Sequence, residues 1–198
     1  MDLLSTIIGG AIGFLSSIGT VIVTHLINKK GKLNIYYKFI SSPNIHQPWG
    51  VYNGELNTIY LDIPVVFEFQ NTSNSTRVIR DVSLELYNGN KFVSKLHQCE
   101  FIRCDKKRDG VLSETTITDF GSDNNSYSFV LPPRSIQKQK CDYLLKIDKS
   151  ETEKYFFDSI QISYYDERDK KKSFTVKTNL YGWKLGAQKP DDDWQKVK

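Results

Sequence analysis

The longest hydrophobic block of the chain lies at its N-terminus. Residues 3–27 contain no Asp, Glu, Lys or Arg, and the polar segment NKKGK follows at once. At about 1.5 Å of rise per residue, a helix of this length crosses the roughly 30 Å hydrocarbon core of a bilayer. A cleaved signal peptide fits less well, because no basic residue precedes the block and no small-residue cleavage site follows it. The pattern predicts a transmembrane helix over residues 1–28 and a basic linker over 29–32.

After residue 32, hydrophobic and polar residues alternate with period two. The clearest runs place these residues on one face of a strand: Leu61, Ile63, Val65, Phe67 and Phe69; Val82, Leu84 and Leu86; Leu33, Ile35, Tyr37 and Phe39; Ile160, Ile162 and Tyr164; Phe174 and Val176. Such alternation is typical of antiparallel strands with one buried face. We therefore predict an all-β soluble domain over residues 33–185, an antiparallel β-sandwich, with a closed β-barrel as the alternative. In architecture it resembles an immunoglobulin-like sandwich, without a family-specific motif.

Three segments interrupt this alternation. Residues 40–57 contain two prolines and two glycines, which predict a long irregular loop. His46, Trp49 and Tyr52 in this loop are candidate binding residues, since aromatic side chains dominate interface hot spots. The alternative for Trp49 is that it plugs one end of the sandwich. Ser150 to Glu153 resemble a capping box and predict a short helix, and the polar residues 186–198 are expected to form a flexible tail.

The charges around the hydrophobic block predict its orientation. Only Asp2 precedes it as a charged residue, whereas Lys29, Lys30 and Lys32 follow it. The positive-inside rule then places the N-terminus outside and the globular domain in the cytoplasm. Three cysteines, an odd number, agree with a reducing compartment. The same three lysines are the candidate lipid-surface residues, because cations beside a bilayer are attracted to anionic headgroups.

Small residues recur along one stripe of the predicted helix. Ser5, Gly9, Gly13 and Ser17 are four residues apart, and the two glycines form a GxxxG motif. Such a stripe allows two helix backbones to approach closely within lipid. These four residues, called the small-residue stripe below, are candidates for self-association, although glycine and serine are common in membrane helices in any case.

The sequence predicts no enzymatic chemistry. It contains no phosphate-binding loop, nucleophile elbow or HExxH motif, so no catalytic residue, cofactor or metal site is expected. We considered zinc bound by His97, Cys99, Cys104 and Cys141, but their spacing lacks the tight CxxC pairs of structural zinc sites. A net charge of +4 without aromatic residues among the basic clusters predicts no nucleic-acid partner.

Three functional hypotheses remain. The first and favoured one is a single-pass, non-enzymatic β-sandwich module that binds a protein or ligand on the cytoplasmic side of the membrane. The second is an oligomeric membrane effector or pore former, in which the β domain acts as the sensor. The third is an extracytoplasmic adhesion or envelope-binding domain, in which the sequons at Asn71 and Asn74 would be accessible. The predicted partners are therefore the lipid bilayer and either a protein or a second copy of the chain.

Overall fold

The computed structural model describes residues 3–29, 31–42, 47–54, 56–102, 116–120 and 128–197. It begins with one long helix, α1 (Leu3–Lys29). Within it, residues Ile7–Leu26 are apolar enough to cross a membrane, and none of them is buried. Large side chains such as Phe14 and Val21 are each 68% exposed. An apolar helix with its side chains exposed on every side matches a lipid environment better than water.

The rest of the described chain is mostly β-structure. The strands are β1 (Leu33–Phe39), β2 (Gly50–Asn53), β3 (Thr58–Asn71), β4 (Arg77–Asn88), β5 (Lys91–Lys95), β6 (His97–Ile102), β7 (Thr116–Phe120), β8 (Ser128–Leu131), β9 (Ser135–Asp148), β10 (Ser159–Tyr165), β11 (Lys171–Lys177), β12 (Gly186–Ala187) and β13 (Gln195–Lys196). A 3-10 turn, Lys149–Glu151, follows β9. Every strand pair in the described residues is antiparallel.

These strands form two sheets. The large sheet has the order β12-β2-β3-β9-β6-β7, and β1 and β13 extend it along the β2 side of β3. The small sheet has the order β11-β10-β4-β5, and β8 pairs with the first half of β4. The long strands β3 and β9 pair over fourteen residues, from Thr58 opposite Asp148 to Asn71 opposite Ser135. They form the centre of the large sheet.

The core lies between the two sheets. Inward-facing residues of β3 and β4 are fully buried, including Phe67, Phe69 and Leu84. The Tyr143 hydroxyl donates a 2.6 Å hydrogen bond across this core to the carbonyl oxygen of Val82, which ties β9 to β4. The predicted all-β, sandwich-like fold with an N-terminal apolar helix is thus confirmed. The finer immunoglobulin-like arrangement stays a prediction.

Three local features differ from the sequence-based expectations. Residues 40–57 do not form one irregular loop, because Gly50–Asn53 pairs with β3 as β2. Residues 186–197, expected to be a flexible tail, lie along the edge of the large sheet and pair with β2 and β1. The short helical turn is capped by Asp148 instead of Ser150, whose backbone N–H donates to the Asp148 carboxylate at 2.8 Å.

Candidate functional site

A cleft opens at the end of the sandwich farthest from α1. β1 begins at Leu33, four residues after the end of α1 at Lys29, and it ends at Phe39, whose ring packs edge-to-face against Trp49 at 5.2 Å. Seven residues of strand carry the chain roughly 20 Å. Trp49 therefore marks the far end, and the cleft beside it, of about 140 Å³, is called the distal cleft below.

The wall of the distal cleft is apolar and its rim is polar. Its apolar residues come from four separate parts of the chain: Trp49 and Val51, Leu61, Phe157, and Leu180. Its polar rim is built by Asn179, Tyr181, Lys184 and Gln188. A cavity of about 150 Å³ lined by apolar groups is large enough for a benzene ring. The distal cleft is thus of the right size for one aromatic or branched aliphatic side chain.

Trp49 is held rigidly in this wall. Its side chain is 5% exposed, and its indole N–H donates a 3.1 Å hydrogen bond to the carbonyl oxygen of Lys189. The Lys177 ammonium lies 4.8 Å from the centre of the Phe39 ring beside it and forms a 2.5 Å ion pair with Asp191. Trp49 therefore closes the end of the core and also presents one surface to the cleft.

The loop that forms the rim is held in place by the contacts of Trp183 and Gly182. The Trp183 indole N–H donates to the carbonyl oxygen of Tyr155 at 3.0 Å, and its ring packs edge-to-face on Phe157 at 5.6 Å. Gly182 has φ +58°, and a Cβ atom there would lie 3.0 Å from the ring of Phe156. Only a residue without a side chain fits this approach without displacement of the ring.

Large side chains on this anchored loop point outward. Tyr181 is 79% exposed and Leu185 50% exposed, and Phe156, packed against Gly182, is 45% exposed. Exposed aromatic and aliphatic side chains on an ordered loop beside a cleft are typical of an interaction surface. Lys184 lies 5.4 Å from the centre of the Tyr181 ring and forms no ion pair within the described residues. It leaves one uncompensated positive charge at the rim.

The two predicted binding residues that the structure describes, Trp49 and Tyr52, lie on different surfaces. Tyr52 lies opposite Tyr60 on the outer face of the large sheet, and its hydroxyl donates to the carbonyl oxygen of Pro48. Burial, and after it the Asp62 carboxylate, raises the pKa of Tyr52. Trp49 instead faces the core and the distal cleft. His46 lies outside the described residues.

The outer face of the large sheet also holds a pair of acidic residues. Asp62 is 1% exposed and Asp142 is 7% exposed, on the central strands β3 and β9. Neither carboxylate oxygen of Asp62 has a hydrogen-bond partner among the described residues. Burial and the neighbouring Asp142 raise the pKa of Asp62 to about 7. The described residues contain no group of three or more His, Cys, Asp and Glu side chains that could hold a metal ion.

The residues considered for zinc are not on one face. Cys141 is buried, its thiol accepts a 3.4 Å hydrogen bond from the Gln98 amide, and burial raises its pKa to about 12. His97 is exposed and lies opposite Leu144, on the outer face of the large sheet. Cys104 lies outside the described residues. Cys141 therefore cannot join His97 without a change of strand register.

The predicted helix-association residues lie on one stripe of α1. A Cβ atom placed on Gly9 or Gly13 has no described atom within 4 Å. The Ser17 hydroxyl donates to the carbonyl oxygen of Gly13 at 2.8 Å, so its hydrogen bond is made within the helix. Ser5 belongs to the same helix by its backbone. The stripe leaves room for a second helix backbone.

Sequence reasoning missed the distal cleft as a site. Its rim belongs to the segment Asn179 to Gln188, with the sequence NLYGWKLGAQ. The sequence pattern that could have indicated this site is the presence of two aromatic residues and two glycines in a polar stretch. Comparisons with protein-family models, with curated proteins and with solved structures find no match to this chain.

Proposed function

We propose that this protein is a non-enzymatic module tethered to the membrane by α1, which binds a partner protein through the distal cleft on the cytoplasmic side. The observation that carries the tether is the exposure of α1. Its apolar residues Ile7–Leu26 are unburied over a length that matches a bilayer. The sandwich has its own core, so it does not need this helix for burial of its apolar residues.

Several features support the distal cleft as the binding site. It has an apolar wall that is already ordered, which lowers the entropy cost of binding. Its rim carries exposed Tyr181, of the type enriched at interface hot spots. The Lys184 ammonium adds a single positive charge beside it. The best-fitting partner is a polypeptide segment with one large apolar side chain next to a carboxylate.

The cytoplasmic side is supported by the lysines after α1. Lys29, Lys30 and Lys32 follow the apolar span directly. The sequon at Asn71 does not support the alternative extracytoplasmic arrangement. That side chain is 2% exposed and donates to the carbonyl oxygens of Ser75 and Pro132, both at 2.8 Å.

Binding at the cleft is testable with N-acetylphenylalanine, which carries an aromatic ring and a carboxylate. The chain, with 15N-labelled tryptophan and in nonionic detergent, is titrated while the three indole N–H resonances are followed. We expect a saturable shift of the Trp49 indole N–H resonance. The affinity obtained from this titration should be about threefold lower for the uncharged amide of the same compound. Lys184→Gln should remove this preference for the acid, whereas the matched control Lys91→Gln should keep it.

Two results would contradict the assignment of the cleft. One is the absence of any saturable shift at Trp49. The other is a shift of the same size at Trp194, which lies near Lys138 and outside the cleft. A preference for the acid that survives Lys184→Gln would show that Lys184 does not supply the positive charge.

A further inference from the structure

One end of the sandwich must lie close to the membrane if α1 spans it. The chain leaving α1 is fixed to the loop after β3 almost immediately. The Lys32 backbone N–H donates to the Thr72 hydroxyl at 2.9 Å, and the Thr72 N–H donates to the Lys32 carbonyl oxygen at 3.1 Å. Gly31, with φ +108°, packs so closely on Thr72 and Ser73 that a Cβ atom would overlap their backbone.

The reach of the chain limits the distance between this loop and the bilayer. Only residue 30 separates the end of α1 at Lys29 from Gly31. An extended chain covers at most about 3.6 Å per residue. The loop at residues 72–76 is therefore held within roughly 10 Å of the end of α1. This end of the sandwich is called the proximal end below.

Two further turns belong to the proximal end. The Arg134 backbone N–H donates to the carbonyl oxygen of Ser73 at 3.1 Å, which places the turn between β8 and β9 beside the 72–76 loop. The β10–β11 turn, residues 166–170, is joined to the start of β4 by the ion pair of Arg77 with Glu167. All three loops thus converge where α1 enters the fold.

The proximal end carries an excess of positive charge. Lys32, Arg134, Arg168 and Lys170 are exposed, and none of them forms an ion pair within the described residues. The three carboxylates of the β10–β11 turn are already engaged. They form ion pairs: Asp166 with Lys172, Glu167 with Arg77, and Asp169 with Arg80.

Resting on the proposed membrane tether, we propose that the proximal end is a docking surface for anionic lipid headgroups. Arg134, Arg168 and Lys170, which are far from α1 in sequence, then act together with Lys32. Cations near an anionic leaflet are attracted within about a Debye length, roughly 8–10 Å. The docked sandwich stands with the distal cleft directed away from the membrane, where a partner protein can reach it.

The test uses the full chain in nanodiscs of phosphatidylcholine, with or without phosphatidylglycerol. The readout is hydrogen–deuterium exchange of the turn at residues 166–170, where the Arg168 and Lys170 amides donate to Asp166. We expect exchange to slow by about threefold or more with the anionic lipid at low salt, and the difference to vanish at high salt.

Matched variants distinguish the effect of charge at the proximal end from the effect of the net charge of the chain. The triple variant Arg134→Gln, Arg168→Gln, Lys170→Gln should lose the lipid dependence. A control variant loses three exposed cations elsewhere: Lys91→Gln, Lys146→Gln and Lys149→Gln. It should keep the lipid dependence. Circular dichroism of both variants establishes that they are folded.

The outcomes test the docking surface and the membrane tether separately. Equal exchange in the two lipids at low salt overturns the docking surface, as does equal protection by inorganic phosphate with zwitterionic lipid, since the ligand is then a free anion. Loss of the lipid dependence in the control variant also overturns it. Failure of the chain to float with phosphatidylcholine vesicles is a separate result, which overturns the membrane tether itself.

Discussion

Asp62→Asn should change the pH dependence of stability. Asp62 is 1% exposed, and in the part of the chain that the structure describes neither of its carboxyl oxygens has a hydrogen-bond partner. Burial, together with the nearby Asp142, raises its pKa from 3.8 to about 7. An isolated buried carboxylate is costly, so the folded chain favours the protonated form.

The sign follows from proton linkage. Between about pH 4 and pH 7 the folded state binds more protons at Asp62 than the unfolded state, so the free energy of unfolding falls as pH rises. The contribution of Asp62 is fully favourable below about pH 4, declines through about pH 7 and is constant above it. A pKa difference of about 3 units, at 1.36 kcal/mol each, amounts to about 4 kcal/mol.

Asparagine has nearly the same shape and cannot ionise. We expect the variant to equal the wild type near pH 4 and to exceed its free energy of unfolding by about 3–4 kcal/mol near pH 8. The measurement is urea unfolding of the full chain in nonionic detergent with a reductant, followed by tryptophan fluorescence. Buried Trp49 and Trp183 report on the sandwich.

The comparison of variant with wild type cancels the titration of other groups. Asp193→Asn, at an exposed position near the C-terminus, is the matched control for loss of one negative charge, and its effect should be small at both pH values. A difference between Asp62→Asn and wild type that stays constant from about pH 4 to pH 8 would refute the reasoning.

Three other substitutions test separate parts of the account. Lys171→Met should lower the free energy of unfolding by about 1–2 kcal/mol, because it leaves the buried Glu85 carboxylate without its 2.7 Å ion pair. Lys171 is 40% exposed, so the cost stays below that of a fully buried pair. Restoration of the stability in the double variant with Glu85→Gln checks this cause. Gly50→Ala should destabilise the chain by about 1–3 kcal/mol in the same urea assay, since its Cβ atom would overlap the backbone of β12; an unchanged midpoint would contradict this contact. Gly9→Ile with Gly13→Ile should reduce any self-association of the full chain in detergent, measured by light scattering, because branched side chains block close helix approach. An oligomer of unchanged mass would exclude the small-residue stripe as its interface.

The sequence predicts the strands well where one face of a strand is buried. The alternation over residues 59–69 corresponds to β3, because a half-buried sheet requires a hydrophobic residue at every second position. The same reasoning does not reveal β2, which has only four residues and begins with a glycine. Besides its pairing with β3, it pairs with Gly186 and Ala187, which are more than a hundred residues away in the sequence.

Long-range contacts also explain why the last residues were expected to be a tail. Residues 191–193 read as three solvated aspartates, yet Asp191 accepts a 2.9 Å hydrogen bond from the Phe39 N–H and pairs with Lys177. No local pattern contains those partners. The distal cleft is hidden for the same reason, since its wall combines Trp49, Leu61 and Phe157.

The central claim is that α1 anchors the sandwich in a bilayer. The most direct measurement is alkaline carbonate extraction of membranes from cells that make the full chain, beside a variant with Ile12→Lys and Val21→Lys in the span. The account predicts that the chain stays with the lipid after extraction and that the variant is released, because two charges within a single span are costly. Release of the unaltered chain into the supernatant would contradict it.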